Sequence, residues 1–225
     1  LLHMITSEKN TSPFDANMAF DAGWDSIIPY TDVGMDEIQA LVQDTIFSRS
    51  PSALKRTGIF IGGRDSHLAM DMIDEAKKHM VPPFEVPVFA DPSGAFTTAA
   101  GMVAITEKAL KDKFSEDFSG KKVVILGGTG PVGVASAVIS AKAGNEVLLV
   151  GRSLEKAENI AKICNEKYGS KSVIGAEDAE KANFLIDADV VFNTGAAGIQ
   201  LMDDNLVAKA SNLKICADTN AVPPT

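Results

Sequence analysis

Between a β-branched run, Lys121-Lys122-Val123-Val124-Ile125-Leu126, and a helical stretch of small residues stands Gly127-Gly128-Thr129-Gly130-Pro131-Val132-Gly133. This segment restricts the fold more than any other. Gly128, Gly130 and Gly133 fit the G-x-G-x-x-G spacing, and a strand before and a helix after supply the context that spacing needs. One glycine allows the tight turn, the second lets backbone approach a pyrophosphate, and the third lets helix pack closely on strand. Thr129, Pro131 and Val132 complete the loop, and the helix start offers unpaired N–H groups and a partial positive charge to phosphate. The pattern then restarts: EVLLV (146–150) reads as a strand and Ser153 to about Tyr168 as a helix. SVIGA (172–176), DVVFNTG (189–195) and KICADTN (214–220) read as further strands. A Rossmann-type domain with a parallel sheet is expected over residues 119–225.

At the end of its second strand, an NAD-preferring site usually carries an acid for the ribose 2′-hydroxyl. Here Gly151, Arg152 and Ser153 occupy that place, with Lys156 one turn on. A guanidinium pairs bidentately with a 2′-phosphate that a carboxylate would repel, and a hydroxyl and an ammonium can assist. The cofactor expected is therefore NADP, with NAD possible. Thr194, Gly195 and Ala196, after one later strand, and Asp218 and Asn220, after the next, fall on the carboxyl-end rim where open α/β sheets bind ligands.

The first 118 residues also alternate strands and helices. LLHMIT, SIIPY, TGIFIGG and VPVFAD read as strands; SPFDANMAFDAG is a helix with Ser12 as N-cap and Pro13 at its first position. Met35, Ile38, Leu41, Val42 and Thr45 mark one helical face, and Asp65 can cap the helix carrying Leu68, Met72, Ile73 and Ala76. A long helix begins near Thr97. The expectation is a layered α/β domain over 1–118, joined through the polar segment 112–122. Its most suggestive loop is Asp91-Pro92-Ser93-Gly94-Ala95-Phe96-Thr97-Thr98: small polar side chains, free N–H groups and one aromatic suit a flat, amide-rich heterocycle. IFIGGRDSH (59–67) reads as a simple turn.

The chain has 225 residues and a formal net charge of −9, without a basic stripe, which argues against a nucleic-acid partner. No apolar run reaches the ~20 residues of a membrane span, no leader peptide stands out, and the ends at LLHMITS and NAVPPT suggest a clipped chain. Cys164 and Cys216 are expected to be two buried thiols in a reducing, cytoplasmic setting, and the protein a homo-oligomer. His3, His67 and His79 are scattered, and no CxxC, HExxH or GxSxG occurs, so no metal site, acyl nucleophile or acid–base residue is assigned. Hydride transfer at a carbon where no proton need move fits this machinery.

The words SPFDANMAFDAG, IPYT, QDTIFSR, TGIFIGG, VPPF, FADPSGAFTTAA, GGTGPVG, GRSLEKA and ADTNAVPP together resemble, in order, the bacterial NAD(P)-dependent methylene-tetrahydromethanopterin dehydrogenases. The resemblance runs through both domains. It implies an N-terminal pterin-binding domain, a Rossmann domain, a cleft between them, and oxidation of the methylene bridge to methenyl by hydride transfer in formaldehyde oxidation. It further implies that Asp15, Asp91, Ser93, Phe96, Thr97 and Thr98 line the pterin cleft. Two other enzyme readings remain: a shikimate-dehydrogenase-like or other two-domain NADP oxidoreductase, and a methylene-tetrahydrofolate dehydrogenase. A non-catalytic NADP sensor is a third. Lys9, Lys55, Lys77 and Lys78 are the lysines a shikimate-type mechanism would draw on, and none falls in a convincing loop.

Overall fold

All nine strands run parallel in a computed structural model of the chain, which describes residues 1–220, 222 and 223. The chain forms two compact units, Leu1–Gly94 and Ala95–Thr225.

The first unit contains β1 (Leu2–Ile5), α1 (Pro13–Asp21), β2 (Ile27–Tyr30), α2 (Ile38–Phe47), α3 (Pro51–Leu54), β3 (Gly58–Ile61), α4 (Ser66–Lys78) and β4 (Val88–Ala90). Its sheet runs β2-β1-β3-β4. The two central strands are buried along their whole length, as parallel strands covered on both faces must be. The edge strand β2 carries Pro29, which has no N–H to give to a second neighbour. Helix starts follow from side chains: Ser12 Oγ accepts from the N–H of Asp15 at 3.4 Å, and Asp65 Oδ1 from His67 at 2.8 Å and Leu68 at 3.1 Å. Ile38, Val42 and Thr45 of the expected face are buried, but Met35 is exposed. Met35–Glu37 is a 3₁₀ turn, whose tighter period rotates Met35 off that face.

The second unit contains α5 (Ala95–Phe114), β5 (Lys122–Leu126), α6 (Pro131–Lys142), β6 (Glu146–Gly151), α7 (Leu154–Glu166), β7 (Val173–Glu177), α8 (Lys181–Leu185), β8 (Val190–Asn193), α9 (Asp204–Lys209) and β9 (Ile215–Asp218). Alternate residues of β5 serve opposite cores. Val123 and Ile125 pack with Val134 and Ala137 of α6 and with Ala157 and Ile160 of α7; Val124 and Leu126 pack with Leu185, Met202 and Ala210. The short helices α8 and α9 cover that second face, and no apolar period in the sequence announced them.

The junction expected near residue 118 is not where the chain divides. Met102, Val103 and Leu110 of α5 and Phe118 beyond it are buried in the α6–α7 side of the second core. Glu116 accepts the ammonium groups of Lys121 at 2.6 Å and Lys214 at 2.8 Å. The polar segment is thus strapped to the second unit, and the break falls at Gly94–Ala95. One of the two cysteines also departs from expectation. Cys164 is buried, its thiol pushed up to about 11 by desolvation. Cys216 is exposed, because Ile215 and Ala217 on either side of it turn toward the core.

Candidate functional site

The glycine loop joins the central strand β5 to α6, and its glycines answer to different demands. Gly127 has a φ of +68°, and a Cβ there would stand 2.7 Å from the Gly195 nitrogen. At Gly128 a Cβ would be 2.8 Å from Leu149 Cγ and 2.9 Å from the Ile125 oxygen; at Gly133 it would be 2.5 Å from Gly128 Cα. These three are glycines because the protein's own atoms leave no room. Gly130 is different. Its φ is −84°, and the nearest atom to an added Cβ is the Gly127 oxygen at 3.6 Å. No described residue of the second unit requires a bare backbone at Gly130, so its bareness fits a ligand passing close.

Gly130 is the N-cap of α6, and no side chain caps that helix. Pro131 has no N–H, which leaves the N–H groups of Val132 and Gly133 without acceptors inside the helix. A phosphate is the natural partner for such a terminus. Thr129 lies against the end of β6, where a side chain on Gly151 would meet its Cγ2 at 2.6 Å.

Arg152 follows β6 directly, is exposed, and enters no ion pair or side-chain hydrogen bond among the described residues. Ser153 caps α7, its Oγ accepting from the N–H of Lys156 at 3.4 Å, so its hydroxyl already has a structural task. The Lys156 side chain is exposed one turn further. Arg152 and Lys156 together form an open cationic edge beside the glycine loop's strand.

The carboxyl-end rim is a closed network. Asn193 ends β8 and is 3% exposed. It donates through Nδ2 to Asp218 Oδ2, while its Oδ1 accepts from the N–H of Gly195 at 3.2 Å. Asp218 Oδ1 accepts from the N–H of Asn220 at 2.6 Å, and Asn220 Nδ2 donates to the Gly195 oxygen at 3.1 Å. Thr194 spends its hydroxyl on the Leu126 oxygen at 2.9 Å, and Ala196 is exposed. Asp218 and Asn220 therefore act first as fasteners between β8 and β9, with Asn193 as their hub. Of the expected stretch ADTNAVPP, Ala221 and Pro224 lie outside the described residues. Asn193→Ala strands one oxygen of the Asp218 carboxylate and the N–H of Gly195. It is expected to cost about 1–3 kcal/mol and to lower the melting temperature by roughly 3–10 °C. Calorimetry checks this, and an unchanged transition would remove the fastening role.

The first unit has its own cleft, of about 360 Å³, at the carboxyl ends of β1 and β3. Asp15 and Ser93 line it. Ser93 is held at a φ of +54° and donates through Oγ to the Gly63 oxygen at 3.3 Å, tying the loop after β4 to the loop after β3. Burial, and secondly the charge of Asp91, push the Asp15 carboxyl above its ordinary range. Phe96, Thr97 and Thr98 open α5 in the second unit and are not among the residues lining this cleft.

Sequence reasoning missed the larger part of that cleft. The loop 6–12, with Glu8, Lys9 and Asn10, forms one wall, and Gly62, Gly63 and Arg64, read as a plain turn, form another. The available signal was position: polar runs directly after buried parallel strands belong on the ligand-binding rim. Gly127 and Asn193 were also missed as site-forming residues; the doubled glycine was the visible hint.

A five-stranded parallel sheet ordered β7-β6-β5-β8-β9, which is 3-2-1-4-5 when its strands are counted from β5, with this glycine loop after the central strand, defines a Rossmann-type dinucleotide-binding unit. Quinate dehydrogenase from Corynebacterium glutamicum in complex with NAD shares the fold, at a TM-score of 0.55 and 15% identity over 91% of this chain and 75% of that one. Residues 13–93 match the family described as methylene-tetrahydromethanopterin dehydrogenase, N-terminal. The whole chain aligns at 46% identity with 76% of the NAD(P)-dependent methylenetetrahydromethanopterin dehydrogenase of Methylorubrum extorquens. It aligns at 36% with 77% of the bifunctional protein MdtA of the same organism. The chain belongs to the methylene-tetrahydromethanopterin dehydrogenase family.

Proposed function

We propose that the protein oxidises methylene-tetrahydromethanopterin to methenyl-tetrahydromethanopterin with NADP+ as hydride acceptor, in the oxidation of formaldehyde through carrier-bound one-carbon units. The full-length identity of 46% to a dehydrogenase of that name carries the reading. NAD+ is a second acceptor, in keeping with the NAD(P) dependence in that relative's name. Bound NADP+ supplies the carbon that receives the hydride. Val132 and Gly133 N–H groups face its pyrophosphate, Gly130 gives room for it, and Arg152, assisted by Lys156, pairs with the 2′-phosphate. Gly195 and Ala196 let the chain pass close to the cofactor, on a rim held by Asn193, Asp218 and Asn220.

The carbon that loses hydride becomes a cation shared by the two nitrogens beside it. No proton leaves that carbon, so no base is required, in keeping with the scattered histidines. Catalysis then rests on holding two rings in register, and positioning alone supplies large rate factors. The first unit takes the pterin, with Asp15 and Ser93 lining its cleft and Asp91 close enough to act on the Asp15 carboxyl. No helix among the described residues is long and apolar enough to cross a membrane; a cytoplasmic enzyme assembled from identical chains agrees with its metabolic role.

The test is absorbance of the reduced nicotinamide with methylene-tetrahydromethanopterin and NADP+. NAD+ and methylene-tetrahydrofolate are run alongside. Pterin-dependent reduction with either nucleotide is the expected outcome. Tight NADP+ binding without turnover of any pterin would leave a sensor or a dehydrogenase for another substrate.

A further inference from the structure

The acid that an NAD-preferring site places at the end of its second strand is missing from β6, but one stands directly beside that position. Glu177 closes β7 and is the register partner of Gly151, the last residue of β6. Paired residues on neighbouring strands lie about 4.8 Å apart, a gap that a glutamate side chain spans. Val173 of β7 packs in the core with Ala157 and Ile160 of α7, and a Cβ on Gly175 would be 2.4 Å from the Glu158 nitrogen. Alternation along the strand turns Glu177 to the α7 side as well. A side chain on Gly151 would point to that same side, where its Cβ would meet Ala157 Cβ at 3.5 Å.

Gly151 itself has no room for an acid. Its Cβ would lie 2.6 Å from Thr129 Cγ2, so the glycine loop's own threonine covers the place. With β6 closed to an acid, β7 supplies one. Glu177 is half-buried, and its carboxylate enters no ion pair or hydrogen bond among the described residues. Asp178 beside it is already engaged, its Oδ2 3.2 Å from Lys181 Nζ. A partly desolvated carboxylate without a donor is poised to accept from a ligand hydroxyl. Arg152, one residue past Gly151, keeps its charge unpaired too, so the opposite charges at these adjacent strand ends do not cancel in an ion pair.

We propose, resting on the NAD(P) reading above, that Glu177 is a second specificity-determining residue for the nucleotide. Its carboxylate accepts from the adenosine 2′-hydroxyl of NAD, and the same charge repels the 2′-phosphate of NADP. Arg152 acts in the opposite sense. The protein thus meets a hydroxyl with an acid from β7 and a phosphate with a guanidinium after β6, which is a physical basis for taking either nucleotide.

Titration of the whole protein with NADH and NADPH, followed by nicotinamide fluorescence, tests this without any pterin. Glu177→Ala is expected to raise Kd for NADH about 10–100-fold and to lower Kd for NADPH about two- to fivefold. Glu177→Gln keeps a carbonyl acceptor but not the charge, so its NADH rise should be smaller, about 3–10-fold, with the same gain for NADPH; it carries the test if the alanine variant folds poorly. Combined with Arg152→Ala, Glu177→Ala should bring the two dissociation constants close together, since the nucleotides differ only at the 2′ position. An unchanged Kd for NADH, or an equal rise for both nucleotides, would overturn the assignment, the latter by placing Glu177 against a part they share. Wild-type protein that binds neither nucleotide would instead sink the cofactor reading on which the assignment rests.

Discussion

Gly130→Ala is expected to fold like the wild type and to lose its grip on NADP+, whereas Gly133→Ala is expected to unfold early whatever ligand is present. A methyl at Gly130 has 3.6 Å of clearance from its nearest protein atom and adopts an ordinary φ. Its cost falls on the pyrophosphate that would otherwise lie there, and overpacking of this kind costs about 1–3 kcal/mol, or roughly 5–150-fold in Kd. A methyl at Gly133 would lie 2.5 Å from Gly128 Cα and 2.6 Å from its oxygen, against backbone that cannot rotate away. At about 3 kcal/mol or more, the melting temperature should drop by roughly 6–12 °C. Thermal melts and NADP+ titrations on the pair separate the two demands. Equal loss of stability in both variants would end the claim that Gly130 is bare for the ligand's sake.

Arg152→Ala is expected to divide the two nucleotides. The guanidinium stands at the open end of β6 without an ion pair or hydrogen bond among the described residues, so removing it breaks none of these. A charge-assisted pair with a 2′-phosphate, where the alternative is water, is worth about 1.5–3 kcal/mol, which is roughly 10–150-fold in KM for NADP+. KM for NAD+, which has no 2′-phosphate, should move by less than about threefold, the scale of a weak exposed contact. Lys156→Ala should show the same selectivity at smaller amplitude. Equal changes for both nucleotides would place Arg152 outside the 2′-phosphate site.

Parallel strands separated by helices were legible because their apolar runs are short, β-branched and closed by polar or glycine-rich turns; β3, β5, β6 and β8 all obey this. The glycine turn between β5 and α6 was legible for the same local reason, since its geometry is written in consecutive residues. The boundary between the units was not. Segment 112–122 looks like a linker by composition, but Leu110, Phe118 and Glu116 tie it to partners far along the chain, and composition does not record partners. The rim was half legible. Asp218 and Asn220 were recognised as polar residues in the right place, but their engagement with buried Asn193 depends on β8 and β9 lying side by side. The first unit's cleft gathers residues drawn from three stretches, 4–15, 60–64 and position 93. Only the sheet order brings these together, so Thr11 and Gly62 carried no mark in the sequence.

The uncompensated carboxylate at Asp15 has a consequence for how this protein responds to selection. Its carboxyl is raised above the value it has in an unfolded chain, so it favours the native state only where it is protonated, at pH below the ordinary carboxylate range. That contribution is lost as pH rises through the raised value, and at neutral pH the empty protein carries an avoidable burden there. Laboratory evolution for heat tolerance, run without ligand, should repeatedly replace Asp15 by uncharged residues, and on the proposed reading those survivors would bind the pterin least well. A conserved weakness at this position in heat-adapted descendants would mark lineages in which function, and not endurance, kept the upper hand.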